Sequence, residues 1–161
     1  MGKVIGVISD THIWDVDRDL IDIYERYLKD TDAVFHAGDY VGMKVVEFFE
    51  KMGEFYGVCG NMDDYSIKDY LPEQRVIEIE GFRIGLIHGW GASVGLERKI
   101  LERFSDVDAI VYGHTHRPFN NIIDGVLMFN PGTAIGYSRS GRHTIGILEI
   151  DKVIKGKIID I

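Results

Sequence analysis

The chain has 161 residues, enough for one compact domain over 1–161 with a self-sufficient core; 45% hydrophobic and 27% charged residues with three prolines exclude a disordered or fibrous protein. A formal charge of −8 excludes a protein that grips long nucleic acid by neutralising many phosphates, but not one that offers bound divalent cations to a small anion. Cys59 is the only cysteine, which excludes an intrachain disulfide, thiolate zinc clusters and CxxC redox chemistry. With no signal-like apolar run and no stretch near the roughly 20 apolar residues of a membrane span, a cytoplasmic protein without membrane partners is expected.

Lys3 to Ser9 is a β-branched run ending abruptly in Asp10, the pattern of a buried strand that delivers a polar residue at its carboxyl end. In Asp19 to Lys29, Leu20, Ile23, Tyr24, Tyr27 and Leu28 recur at three- and four-residue spacings and predict an amphipathic helix. Ala33 to His36 reads as a second strand, Lys44 to Met52 as a helix, and Phe55 to Cys59 as a third strand closed by Gly60. Val76 to Glu80 and Arg83 to Ile87, joined through Glu80-Gly81, predict a hairpin. A helix follows at about Leu96 to Phe104, then a strand over Ala109 to Tyr112 that ends in Gly113 and His114. From Ile122 onward short β runs alternate with turns, which predicts antiparallel sheet. Alternating strands and helices before a β-rich end give an α/β fold with function at the carboxyl ends of strands. The expected architecture is a four-layer α-β-β-α sandwich of two mixed sheets flanked by helices.

Five motifs stand at five predicted strand ends: Asp10-Thr11-His12, Gly38-Asp39, Gly60-Asn61, His88-Gly89 and Gly113-His114-Thr115-His116. Each has an ordinary structural explanation alone, as a helix cap, a turn former or a core histidine. Stability does not require four of the six histidines and two aspartates at strand ends, since unpaired buried ionisable groups are costly. Oxygen and imidazole donors without thiolate suit manganese, iron, cobalt, nickel or zinc in a hydrolytic site.

The ordered series D-x-H, G-D, G-N, H-G, G-H-T-H resembles the calcineurin-like metallophosphoesterase family, and especially its small single-domain archaeal and bacterial phosphodiesterases. The resemblance spans Asp10 to Gly132 and includes Asn130-Pro131-Gly132. It implies that Asp10, His12, Asp39 and His116 hold one divalent ion, manganese before nickel, cobalt, iron or zinc. Asn61, His88, His114 and the shared Asp39 hold the second. Two such cations roughly 3.5 to 4 Å apart share a carboxylate and a hydroxide, and the hydroxide attacks phosphorus in line. The implied activity is hydrolysis of a small phosphodiester, with Asp39, Asn61 and His88 at the reacting phosphate.

One position departs from the family pattern. Met62 stands where relatives carry histidine, or cysteine in small phosphodiesterases, and a thioether cannot protonate a leaving group. Asp63 is the expected substitute, and activated leaving groups are expected to react best. Trp14, Tyr40 and Trp90 adjoin the motifs and are read as packing residues or as a stacking surface for a nucleotide-like substrate. Arg139 and Arg142 read as a solvated loop or a phosphate clamp, His36 as a support for Asp39 or its strand, and His143 as a surface residue. Two other readings are carried: an interaction scaffold that keeps the fold without catalysis, and a nuclease, which the missing basic track disfavours. A homo-oligomer is compatible with the sequence.

Overall fold

The computed structural model describes residues 2–161. Two five-stranded sheets pack face to face. The first has the order β10-β9-β1-β2-β3, formed by Ile154–Asp160, Thr144–Ile150, Lys3–Ile8, Ala33–His36 and Phe55–Gly57. The second has the order β4-β5-β6-β8-β7, formed by Gln74–Ile79, Phe82–Ile87, Ala109–Val111, Val126–Pro131 and Pro118–Ile123. Both are mixed: β1, β2 and β3 run parallel with β9 antiparallel to β1, while β5, β6 and β8 run parallel between antiparallel β4 and β7.

Strand alternation explains the layering. Ile5, Val7, Phe35, Ile84, Leu86, Val111, Phe129 and Leu148 point between the sheets and form the central core. Their neighbours face outward, where Ile8, Val34 and Ile145 meet Leu20, Ile23, Val45, Val46, Phe49 and Ile67 from the helices. Ile87, Ile110 and Met128 meet Leu96 and Ile100 on the far side. Sheets covered on both faces need apolar residues at nearly every strand position, which is why β1, β2 and β6 read as continuous runs. The four layers expected from the sequence are present.

The Asp19 to Lys29 stripe forms an α-helix over Arg18–Ile23 (α1), continued by a π-helical turn over Tyr24–Leu28. Asp17 caps α1 by accepting from the Leu20 amide at 2.9 Å. The second helix, α2, covers Met43–Met52 and the fourth, α4, Leu96–Leu101. The Glu80-Gly81 hairpin is present, with both residues at positive φ as a primed two-residue turn requires.

Three expectations are corrected. A short helix, α3 at Tyr65–Tyr70, follows the Asn61 motif where none was predicted. The β7 strand begins at Pro118 rather than Ile122. The last third is not wholly antiparallel: β7-β8 and β9-β10 are antiparallel hairpins, but β8 pairs parallel with β6, and the two hairpins join different sheets.

Candidate metal centre

The parallel strands β1, β2 and β3 present their carboxyl ends at one edge, and β5 and β6 present theirs in the other sheet. Asp10 and His12 follow β1, Asp39 follows β2, Asn61 follows β3, His88 follows β5, and His114 and His116 follow β6. Backbone bonds continue past the strands and tie these loops together. The Asp10 amide donates to the Gly38 carbonyl at 3.0 Å, the His12 amide to Asp39 at 3.0 Å, and the Gly113 amide to His88 at 3.0 Å.

The loops turn in an unusual way. Asp10, His12, Asp39, His114 and His116 all have left-handed backbone, with φ of 56°, 50°, 62°, 71° and 60°. Such geometry costs a non-glycine residue about 1 to 3 kcal/mol and is over-represented where function holds the chain. Five of the seven expected ligands therefore carry backbone strain that packing alone does not call for. Two glycines permit the close approach of neighbouring loops: a Cβ on Gly60 would strike Asp39 Oδ1 and the Asp39 amide, and one on Gly113 would strike Ser9 Oγ and Asp10 Oδ2.

Asp10, Asp39 and His88 are buried, and His12 and His116 are partly buried. Asp10 Oδ1 lies 3.3 Å from His116 Nε2, 3.4 Å from His12 Nε2 and 3.9 Å from His88 Nε2. Asp39 Oδ2 lies 3.2 Å from His88 Nε2 and 3.6 Å from His12 Nε2. Two groups thus bring three ligand atoms together: Asp10 with His12 and His116, and Asp10 with Asp39 and His88. His114 lies beside the second group, its ring centroid 5.3 Å from that of His88. Asn61 and His88 line a common cavity of about 430 Å³.

Burial opposes ionisation of Asp10, but hydrogen bonds from His116, His12 and Ser9 and the charge of His88 outweigh it and hold the carboxyl far below the usual carboxylate range. Asp39 is likewise lowered, with burial overcome by His88 and by the Met62 amide. Burial disfavours the His88 cation, yet the facing Asp10 and Asp39 carboxylates and the Ala37 carbonyl push its pKa up to about 9. Two ionised, buried carboxylates need positive charge beside them, which the His88 imidazolium supplies here and which a bound cation would supply in its place, leaving the ring neutral.

The ring tautomers fit a metal. His88 Nδ1 donates to the Ala37 carbonyl at 2.7 Å, leaving Nε2 to face the carboxylates. That buried Nε2 has no hydrogen-bond partner of acceptable geometry, although Asp39 Oδ2 is near. His116 Nδ1 donates to the Tyr137 carbonyl at 3.1 Å and frees Nε2, while His114 Nε2 donates to Gly91 at 2.7 Å and frees Nδ1. A backbone carbonyl on one ring nitrogen that leaves the other as a lone pair is the usual support of a metal-ligating histidine.

Several supporting residues escaped the sequence reading. Ser9 Oγ donates to Asp10 Oδ2 at 2.6 Å, and Thr133 Oγ1 to the Asp10 carbonyl at 2.8 Å. Buried Asn130 donates to the Gly113 carbonyl and to Thr115 Oγ1, both at 3.0 Å, so the Asn-Pro-Gly segment braces the His114 loop. Ser9 was signalled only by its place beside Asp10, and Asn130 by the Asn-Pro-Gly segment that the family resemblance includes.

Other expectations are revised. Asp63 accepts the amides of Gly60, Val41 and Asp39 at 2.7, 2.8 and 3.1 Å, so both its oxygens are committed to shaping the two ligand loops. Tyr40 is wholly buried and cannot line a mouth; it stacks on His36 at 3.7 Å. His36 accepts from the Gly38 amide at 3.0 Å and so supports the Asp39 loop, as expected. Arg142 is committed to Asp160 at 2.7 and 3.0 Å, which favours the solvated-loop reading, and Arg139 reaches Ser93 Oγ at 3.4 Å. Trp14 is 68% exposed and Trp90 37%, so both are available to solvent-borne partners. His143 is exposed, as expected.

Oxygen and imidazole donors gathered at strand ends of a two-sheet sandwich define an α/β protein with a site suited to divalent cations. The chain belongs to the calcineurin-like phosphoesterase superfamily: the family model described as "Calcineurin-like phosphoesterase superfamily domain" matches residues 4–153. It is similar to Phosphodiesterase MJ0936 of Methanocaldococcus jannaschii, with 34% identity covering 92% of this chain and 93% of that protein. A solved structure described as a novel archaeal phosphodiesterase aligns over 98% of this chain and 99% of its own, with 31% identity and a TM-score of 0.74. Vps29 of Entamoeba histolytica complexed with zinc aligns over 98% of both chains, with 25% identity and a TM-score of 0.68.

Proposed function

We propose that the protein is a phosphodiesterase that hydrolyses small phosphodiesters with two divalent ions, manganese first among them, held by Asp10, His12, Asp39, Asn61, His88, His114 and His116. The observation that carries this is the convergence of Asp10, Asp39, His12, His88 and His116 within ligand distance, with carbonyl partners on Nδ1 that turn Nε2 of His88 and of His116 inward. When bound, the ions acidify water and take up charge on the phosphoryl oxygens.

Asp39 Oδ2 faces both His12 and His88, at 3.6 and 3.2 Å, which supports its role as the shared ligand; Asp10, common to both ligand groups, stands beside it, and the Met62 amide donates to Asp39 Oδ1 at 2.9 Å. One P–O bond forms from a water oxygen and one ester P–O bond breaks. The exposed Met62 thioether has no proton to give, so the departing oxygen takes its proton from solvent. Asp63 is a positioning residue for the Asp39 and Asn61 loops rather than the acid. The likeness to MJ0936 and to the archaeal phosphodiesterase supports phosphodiester hydrolysis, and the formal charge of −8 favours a small diester over a nucleic-acid polymer.

The likeness to Vps29 keeps a scaffold reading in play, and one experiment separates the two. The manganese-reconstituted chain is assayed on bis(p-nitrophenyl) phosphate beside chelator-stripped protein and Asp39→Ala. Turnover only in the reconstituted wild type is expected. A folded, manganese-loaded chain inert towards the diester would refute the phosphodiesterase reading.

A further inference from the structure

The cavity that Asn61 and His88 line is also walled by residues whose chemistry differs from that of the ligand cluster: Trp90, Lys68, Arg103 and Glu73. At about 430 Å³ the cavity falls within the roughly 300 to 1,000 Å³ of sites that enclose whole small molecules, far more than one phosphate needs. The reacting phosphate alone does not account for it.

The two cations are held in place. Lys68 Nζ donates to the Asn61 backbone carbonyl at 3.2 Å, one residue's breadth from an expected ligand side chain. The Arg103 guanidinium lies over the Trp90 ring, 5.1 Å from its centroid, so the indole orders the cation and both stand in one wall. With Glu73 opposing, the wall keeps a positive excess in a chain whose formal charge is −8. A local positive wall on an acidic protein attracts anions.

We propose that this cavity is an anion-binding subsite that takes one flank of the diester, so that the preferred substrate is nucleotide-sized on that side and carries a second negative charge there. The proposal rests on the phosphodiesterase reading for its biological meaning. Arg103 and Lys68 contact the flanking anion, Trp90 lies against its organic portion, and Glu73 accepts from its donors. The reacting phosphate stays at the ligand cluster.

Two arms test this, each reporting on a different part. In the binding arm, the full chain carrying Trp14→Phe, so that Trp90 alone reports, is incubated with manganese and titrated with adenosine and with adenosine 5′-monophosphate while its emission is followed. Saturable, tighter binding of the monophosphate, weakened about tenfold or more by Arg103→Ala and also by Lys68→Met, is expected from loss of a charged hydrogen bond. Absence of a saturable change, or an affinity for the monophosphate that neither substitution alters, would overturn the subsite.

In the turnover arm, KM is compared for an unphosphorylated dinucleotide of 2′-deoxyadenosine, the same dinucleotide with a terminal phosphate, and bis(p-nitrophenyl) phosphate. A lower KM for the phosphorylated dinucleotide than for the unphosphorylated one, with that difference lost in Arg103→Ala, is the expected pattern. Equal KM values in wild type and variant would overturn the substrate preference. Failure of the wild type on all three diesters would refute the phosphodiesterase reading instead, while the binding arm still decides the subsite.

Discussion

At the scale of single residues, the site depends on atoms that barely fit past one another. A methyl group on Gly60 would meet Asp39 Oδ1 and the Asp39 amide, neither of which can retreat without moving a ligand. Gly60→Ala is therefore expected to lower turnover at least about 100-fold, because a misplacement of about 1 Å in a catalytic constellation has effects of that order. Assay of the folded variant beside wild type checks this, and near-normal turnover would show that the loop is more compliant than its contacts suggest. Met62 makes a different prediction: rates should fall steeply as the leaving-group pKa rises, and Met62→His should help the poorest leaving groups most. A series of aryl and alkyl diesters measures the slope, and a flat dependence would mean that another group supplies the proton. The candidate ligands were legible because five motifs recur at strand ends, each with a metal-competent side chain. Their left-handed backbone was not, since nothing local in Asp10 or His116 distinguishes that φ from an ordinary one. The commitment of Asp63 to three amides was hidden for a related reason: those partners come from loops brought together only by the fold.

At the scale of elements, α2 anchors the face of the first sheet beneath the Asp39 loop. Its Phe49 is buried, stacks on Phe55 at a centroid distance of 5.5 Å and meets His36 edge-on at 5.6 Å. Phe49→Ala is expected to cost about 3 to 5 kcal/mol of stability by the usual cavity argument. Urea unfolding of the two proteins measures it, and a cost below about 1 kcal/mol would mean that the aromatic cluster collapses to fill the space. The long buried runs of β1, β2 and β6 announced themselves because both faces are covered. The α3 helix did not, as its six residues bury only Ile67 and leave no stripe to read. The first residues of β7 were missed because Asn120 and Asn121 lie exposed on an edge strand, where polar residues are tolerated. The π-helical turn after α1 keeps the apolar stripe, so periodicity reports one helix where two geometries occur.

At the scale of the whole molecule, the layers followed from strand and helix alternation, whereas the assignment of the last two hairpins to different sheets follows from long-range pairing that no local pattern encodes. The buried site also sets how stability responds to pH. Burial pushes His36 down to about 3, against an ordinary value near 6.5. The unfolded chain therefore takes up a proton on this residue below about pH 6.5 that the folded chain refuses until about pH 3. The stability contributed by keeping His36 neutral is present above pH 6.5 and is lost as pH falls, at about 1.4 kcal/mol per pH unit. His36→Gln should flatten the dependence between about pH 6 and 4, and an unchanged slope in urea titrations would assign it to other groups. The central claim concerns the ions. The most direct measurement is the manganese content of the chain after chelator stripping, reconstitution and dialysis, by elemental analysis per mole of protein. Two ions per wild-type chain and fewer than two in Asp39→Ala are expected; a wild-type chain that retains none, or only one, would contradict the two-metal site.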